Sequence, residues 1–346
     1  MKYRQLGRTD VDISLIGLGT MTWGNQNSEV EAHQQLDYAV GEGINFIDTA
    51  EMYPVEPSAD TFGRTEEYIG NWLKKRGGRD RLIIATKVSG RAAHLSYIRD
   101  GNLGLDRKNI ESAVNTSLTR LQTDYIDLYQ THWPDRDANR FGRLNYFHAP
   151  EKDGTPIEET LGVMGDLVKT GKIRHVGISN ETAWGLSEHL RLSEQKGLPR
   201  VVSVQNPYNL LNRSFEIGLS EFAQREQVGL LAYSPSAFAT LSGKYLNNAK
   251  PAGARLTLFS SYKRYSNAQA VHATEEYVTL AEEHGIDPMQ MALSFVNSRP
   301  FVTSTIIGAT NMDQLKTNIA SADLELPKEL LKEIEKIHTL QPNPGP

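Results

Sequence analysis

No cysteine occurs anywhere in the 346 residues. That excludes disulfides, thiolate metal sites and a cysteine nucleophile, and it suits a reducing compartment. Positive charge is also scarce: 37 Lys and Arg stand against 42 Asp and Glu, a formal net charge of −5, so nothing offers nucleic acid or anionic lipid a broad basic surface. No apolar run approaches the roughly 20 residues of a membrane span, and the opening MKYRQLGRTD has no signal-peptide core. The expectation is a cytoplasmic protein with no nucleic-acid and no membrane partner.

What the chain does have is a rhythm. Its 39% hydrophobic and 23% charged residues are the composition of a globular protein with a large core. Eight apolar runs recur along it: ISLIGLG, INFID, RLIIATK, YIDLYQTH, IRHVGIS, VVSVQ, VGLLAYS and STIIG. Between them lie helical spacings, as in Ala32, Leu36, Ala39 and Val40, in Ile110, Ala113, Val114, Leu118 and Leu121, and in Phe215, Leu219 and Phe222. Ser28 with Glu31, and Asn311 with Gln314, have capping-box spacing. Continuously apolar strands alternating with helices predict a parallel sheet buried on both faces, and eight units predict a (β/α)8 TIM barrel.

Four stretches exceed a minimal barrel. YRQLGRTDVDIS predicts an N-terminal hairpin capping the barrel bottom. Residues 133–157 and 234–267 read as long loops at the mouth, the second basic, small and polar enough to bind an anion. PKELLKEIEKIH predicts an extra C-terminal helix with Leu330, Ile334 and Ile337 on one side. One domain over residues 1–340 is expected, with a mobile Pro-rich tail, QPNPGP, over 341–346.

Four polar residues close three of the apolar runs: Asp48 and Tyr53 in INFIDTAEMY, Lys87 in RLIIATK and His132 in DYIDLYQTHW. The C-terminal ends of parallel barrel strands are where such barrels place their chemistry. Reducing a carbonyl needs a hydride donor, a proton donor and a group that stabilises the developing oxyanion. No side chain supplies hydride, so a nicotinamide or flavin must. Tyrosine is a weak acid with a reference pKa of about 10, and a neighbouring ammonium is expected to favour its phenolate. Lys87 is placed to do this for Tyr53, Asp48 to hold Lys87, and neutral His132 to orient the substrate oxygen. Taken singly, each has a structural reading as a cap, a surface charge or a satisfied histidine. A metal-dependent hydrolase built on Asp48, Glu51 and His132 is a weaker alternative, because Lys87 would put a cation beside the metal.

The strings FIDTAEMY, ATKVS, YQTHW, VGISN, QNPYN, AYSP, LSGKY and IIGATNMDQLKTNI resemble, in the same order and across nearly the whole chain, the aldo-keto reductases. The long stretch after Tyr53, QNPYNLLNRSFE and KPAGARLTLF are similar to the bacterial Tas-type members. The resemblance implies an NADP(H)-dependent oxidoreductase that reduces a small carbonyl substrate without a Rossmann domain, with Tyr53, Asp48, Lys87 and His132 as the catalytic set and Tyr53 as proton donor. It implies that Gly19, Thr20 and Met21 lie beside the nicotinamide and ribose. Ser179, Asn180 and Gln205 would then bond the carboxamide and Tyr233 would stack on the ring. It implies further that Ser234, Pro235, Ser242, Gly243 and Lys244 cradle the pyrophosphate, and that Gly308, Thr310, Gln314 and Asn318 meet the adenosine end. Arg264, with Lys263, is assigned the 2′-phosphate because a guanidinium matches phosphate geometry. Trp23 and Trp133 are candidate walls of the substrate pocket.

The same resemblance extends to potassium-channel β subunits, which leaves an NADP(H)-binding sensor or accessory subunit as the alternative. GLGTMT begins like a dinucleotide fingerprint, but Thr22 stands at the third Gly position and the next helix starts only near Ser28. Two departures from the family pattern stand out. Pro54 follows Tyr53 where Gly is usual, and Ser236 and Ala239 replace apolar and Gly positions of the pyrophosphate loop. Neither the physiological substrate nor the oligomeric state is written in the sequence.

Overall fold

A computed structural model describes residues 1–346. The chain begins with a hairpin, in which β1 (Tyr3–Gln5) pairs antiparallel with β2 (Asp12–Ser14). Eight parallel strands follow: β3 (Ile16–Gly19), β4 (Phe46–Asp48), β5 (Ile83–Val88), β6 (Ile126–Thr131), β7 (Ile173–Ser179), β8 (Val201–Pro207), β9 (Gly229–Tyr233) and β10 (Val302–Ile307). They pair in sequence order, and β10 closes the barrel against β3. Each apolar run supplies one of these strands, so the (β/α)8 barrel is the fold.

Helices surround it. They are α1 (Glu29–Gly41), α2 (Arg64–Arg76), α3 (Arg107–Leu121), α4 (Ile157–Lys169), α5 (Ala183–Lys196) and α6 (Leu219–Arg225), then α7 (Arg255–Leu258), α8 (Ala268–Glu283), α9 (Pro288–Asn297), α10 (Met312–Ala320) and α11 (Lys328–Leu340). Ser28 and Glu31 close a full capping box on α1. Asn311 caps α10 through Gln314 N at 3.0 Å, but the reciprocal half is missing: the Gln314 side chain accepts from Thr310 N instead, also at 3.0 Å. Phe215 does not share a helix with Leu219 and Phe222. Gly218, at φ +94°, turns the chain between a one-turn 3-10 segment, Ser214–Glu216, and α6.

Alternation along the strands divides the core in two. Ile47, Ile84, Tyr129, Leu230 and Ile307 face outward into the large core beneath the helices. Their neighbours Phe46, Ala85, Leu128, Leu231 and Ile306 face the barrel interior, where Leu6 and Ile13 of the hairpin join them. The hairpin therefore plugs the barrel bottom. Gly7 makes the turn possible: it sits at φ +60°, and a Cβ there would lie 2.6 Å from the Val202 carbonyl oxygen.

The C-terminal tail is seated rather than free, contrary to the expectation from its proline content. Asn343 accepts from Arg213 N at 2.6 Å, Asn267 Nδ2 donates to the Pro344 carbonyl at 2.8 Å, and Gly345 N donates to the Leu211 carbonyl at 2.9 Å. Prolines fix the tail's own dihedrals, which lowers the entropy lost on docking. No helix is long and apolar enough to cross a membrane.

Candidate active site

Each barrel strand carries its side chains in and out with period two, so the residue two beyond an interior apolar position also faces inward. Two steps along from Phe46, Ala85 and Leu128 stand Asp48, Lys87 and Gln130. These polar groups meet on the axis above the apolar plug. The Lys87 ammonium donates to Asp48 Oδ2 at 2.6 Å and to the Thr49 carbonyl at 2.7 Å. Asp48 Oδ1 accepts from Gln205 Nε2 at 2.8 Å and Gln130 Nε2 at 3.3 Å. Lys87 is fully buried, and these partners are what make a charge there tolerable.

Above this layer a cavity of about 1250 Å³ opens at the barrel mouth. Pockets for one drug-sized ligand run to about 1,000 Å³, so this one exceeds the space a single such ligand needs. Tyr53 and His132 face into it, their rings 5.8 Å apart and edge-on. Lys87 Nζ lies 5.3 Å from the centre of the Tyr53 ring. The whole expected catalytic set is thus brought to one place.

The electrostatics differ from the expectation in one respect. Tyr53 is not pulled toward phenolate: enclosure, then the nearby Asp48 carboxylate, push its phenol well above 10, against a smaller opposing pull from Arg255. Asp48, 2.6 Å from Lys87, offsets the ammonium's charge as Tyr53 sees it. Burial, then the Lys87 charge, hold His132 well below 6.5. At neutral pH the site therefore presents a protonated phenol beside a neutral imidazole.

Of the other expected positions, Gly19, Thr20, Met21, Ser179, Asn180, Gln205, Tyr233, Ser234, Pro235, Lys244, Lys263, Arg264, Gly308, Thr310, Gln314, Asn318 and Trp133 all line the cavity. Trp23 does not. It is fully buried between α1 and α2, where its indole N–H donates to Gln35 at 3.1 Å, so it is a core residue and no wall of the pocket. Ser242 and Gly243 do not line the cavity, and Ser242 donates back to the Ala239 carbonyl at 2.8 Å. Ser179, Asn180 and Gln205 are also structural: Ser179 donates to the Gln205 carbonyl at 2.8 Å, and Asn180 Nδ2 to the His132 carbonyl at 2.8 Å.

Arg264 lines the cavity from the insertion after β9. It lies beside the Tyr233 and Tyr265 hydroxyls, and Tyr233 in turn donates to Asn180 at 2.7 Å. A chain of polar contacts thus runs from Arg264 through Tyr233 and Asn180 to the His132 carbonyl. The insertion after β9 crosses the cavity as a strap, tied by Ser261 to Glu56 at 2.6 Å and by Gln26 to the Gly253 carbonyl at 3.2 Å. Arg255, Tyr262, Arg140 and Phe141 join the wall unforeseen. Both arginines were visible as charges in mouth loops, but no periodicity aims a loop residue. Glu51 turns away from Asp48 and His132 to Arg99 at 2.6 Å and to Ser89 N at 2.6 Å, so the three do not converge as metal ligands.

A parallel eight-stranded barrel with a buried Lys–Asp pair, a Tyr and a His at its mouth defines a class of enzyme-like site. The chain belongs to the aldo/keto reductase family, whose profile matches residues 15–339. It is 54% identical to Protein tas of Escherichia coli over 346 residues, the full length of both. It is 32% identical to the Bacillus subtilis protein described as uncharacterized oxidoreductase YrpG, covering 100% of this chain and 97% of the relative. A protein of Arabidopsis thaliana described as a probable voltage-gated potassium channel subunit beta is 29% identical, with 94% and 92% covered.

Proposed function

We propose that this protein is an NADPH-dependent reductase of aldehydes or ketones. The observation that carries this reading is the Tyr53 hydroxyl, which faces a cavity larger than a single drug-sized ligand needs and is held protonated beside a neutral His132. Gly308, Thr310, Gln314 and Asn318 would hold the adenosine end of the cofactor at the start of α10, where free amides attract phosphate. Lys244, Arg255 and Lys263 on the strap supply charge for its phosphates. Bound in this cavity, a nicotinamide supplies hydride.

The chain's own residues then have distinct tasks. His132 offers its neutral ring to a carbonyl oxygen and orients it. Tyr53 gives up its proton to that oxygen as negative charge develops there. Lys87 stabilises the resulting phenolate, and Asp48, backed by Gln130 and Gln205, keeps Lys87 charged and in place. Arg255 adds to the stabilisation of phenolate. Strap and mouth loops exclude water from the exchange.

A proton donor of this kind is worth about 10²–10⁴ in rate. Tyr53→Phe is expected to lose that factor in turnover of 4-nitrobenzaldehyde while still quenching or shifting NADPH fluorescence on binding. Near wild-type turnover would remove Tyr53 from its role. The relative described as a channel subunit supports a second reading, a cofactor-bound sensor, for which multiple turnovers per site would be the contrary result.

A further inference from the structure

The cavity wall is charged out of proportion to the chain. In a molecule of net charge −5, the Lys and Arg that line it are Arg91, Arg140, Lys244, Arg255, Lys263 and Arg264, against a single acid, Asp48. Asp48 is engaged by Lys87, and Arg91 by Asp135. Lys244, Arg255 and Lys263 are assigned above to the cofactor phosphates, Arg255 also facing Tyr53. Arg140 and Arg264 remain.

Neither forms an ion pair with an Asp or Glu within 4 Å, and a Cβ built on Gly142 would lie 3.1 Å from the Pro346 oxygen and 3.5 Å from Arg264 Nε. Arg140 donates Nη1 to the Pro134 and Arg136 carbonyls at 3.0 and 3.4 Å, and burial makes its charged form less favourable. Arg264 Nη1 is buried without a partner. Its neighbours are the Tyr233 and Tyr265 hydroxyls. Its approach to Gly142 packs it on the same loop that carries Trp133, Arg140 and Phe141. Through Tyr233 and Asn180 it connects to the His132 carbonyl, by bonds of 2.7 and 2.8 Å. Two half-buried guanidiniums without an Asp or Glu partner, on one wall of the cavity, offer an anion paired charge-assisted donors. The adjoining surface is apolar: Trp133 and Phe141 stand edge-on with centroids 6.1 Å apart.

We propose that the substrate is an aldehyde or ketone that also bears a carboxylate, gripped by Arg264 and Arg140 while its apolar body lies against Trp133 and Phe141. This rests on the reductase reading above and adds the substrate class to it. A carboxylate meets a guanidinium with two parallel hydrogen bonds, which fixes orientation as well as affinity. The acid group would thereby present the carbonyl to Tyr53 and His132 in one pose.

The test compares 4-carboxybenzaldehyde with its methyl ester, which keeps the aldehyde and the ring and removes the charge. With NADPH, wild type is expected to favour the acid in kcat/KM by about tenfold or more. Arg264→Gln should reduce that preference by about 10- to 100-fold, chiefly through KM, as expected for hydrogen bonds to a charged group. Equal use of acid and ester, or a preference that Arg264→Gln leaves intact, overturns the proposal. NADPH affinity, read by fluorescence, should change less than about threefold in Arg264→Gln; a loss of tenfold or more would place Arg264 on a cofactor phosphate and overturn it as well. If Arg264→Gln does not fold, Arg140→Gln is read in the same way. Should neither aldehyde turn over, the reductase reading falls, and calorimetry of the NADP⁺-loaded protein decides the anion site separately. Saturable binding of benzoate but not benzamide, weakened by either substitution, supports it; no benzoate binding overturns it.

Discussion

The depressed pKa of His132 follows from where the side chain sits, and it has a consequence for stability. Its imidazole is 8% exposed and faces the Lys87 charge, so the fold holds it neutral well below 6.5. The unfolded chain takes up that proton near 6.5 and the folded one does not, so stability is complete above about pH 7.5 and is lost as pH falls through 6.5. A histidine that never protonates in the fold accounts for about 1.4 kcal/mol between pH 7.5 and 5.5. Urea unfolding of wild type and His132→Asn at both pH values checks this. The variant should show a smaller acid loss by about that amount, and identical pH dependence would contradict the neutral assignment. Buried His189, also held below 6.5, adds a loss of the same sign that both proteins share.

At the scale of elements, the strap and the loop after β4 are separate pieces of chain joined over the cavity by the Ser261–Glu56 hydrogen bond. Both residues are exposed, so the bond adds little to global stability, but it must open for a bound dinucleotide to leave sideways. A hydrogen bond of this kind nets about 0.5–1.5 kcal/mol. Glu56→Ala is therefore expected to raise the NADPH dissociation rate about two- to tenfold in stopped-flow fluorescence, with an unchanged melting temperature. A lower melting temperature with unchanged release would show that the contact is structural.

Across the whole molecule, the hairpin couples the first residues to strands far along the chain. Leu6 and Ile13 share one interior cluster with Val202, Leu231 and Ile306. Truncating a fully buried Leu or Ile to Ala typically costs about 2–5 kcal/mol. Leu6→Ala should lower the urea midpoint accordingly without changing the KM for NADPH, since the plug lies at the opposite end from the mouth. A selective loss of cofactor affinity would show that the plug shapes the site. The same interior explains what the sequence could reveal. Strand order follows from the alternation of apolar runs with helical segments, and the address of Asp48 and Lys87 from their place at strand ends, both visible in the sequence. Trp23 and Trp133 have similar strand-end settings, and only packing separates the one beneath α1 from the one above the barrel. Arg264 and Arg255 ride on a loop without periodicity, so their charge was legible and their address was not.

The cation-lined mouth also matters before anything binds. A concave patch of one sign on a molecule of the same overall sign as its ligands acts as a local funnel, since low-dielectric walls focus the field outward from the opening. Anions repelled by the rest of the surface are drawn to this end of the barrel. Capture should accordingly slow as ionic strength rises, because exposed charges are screened beyond about 10 Å at 0.1 M salt. Phosphate in the medium would compete for the same funnel that gathers the cofactor.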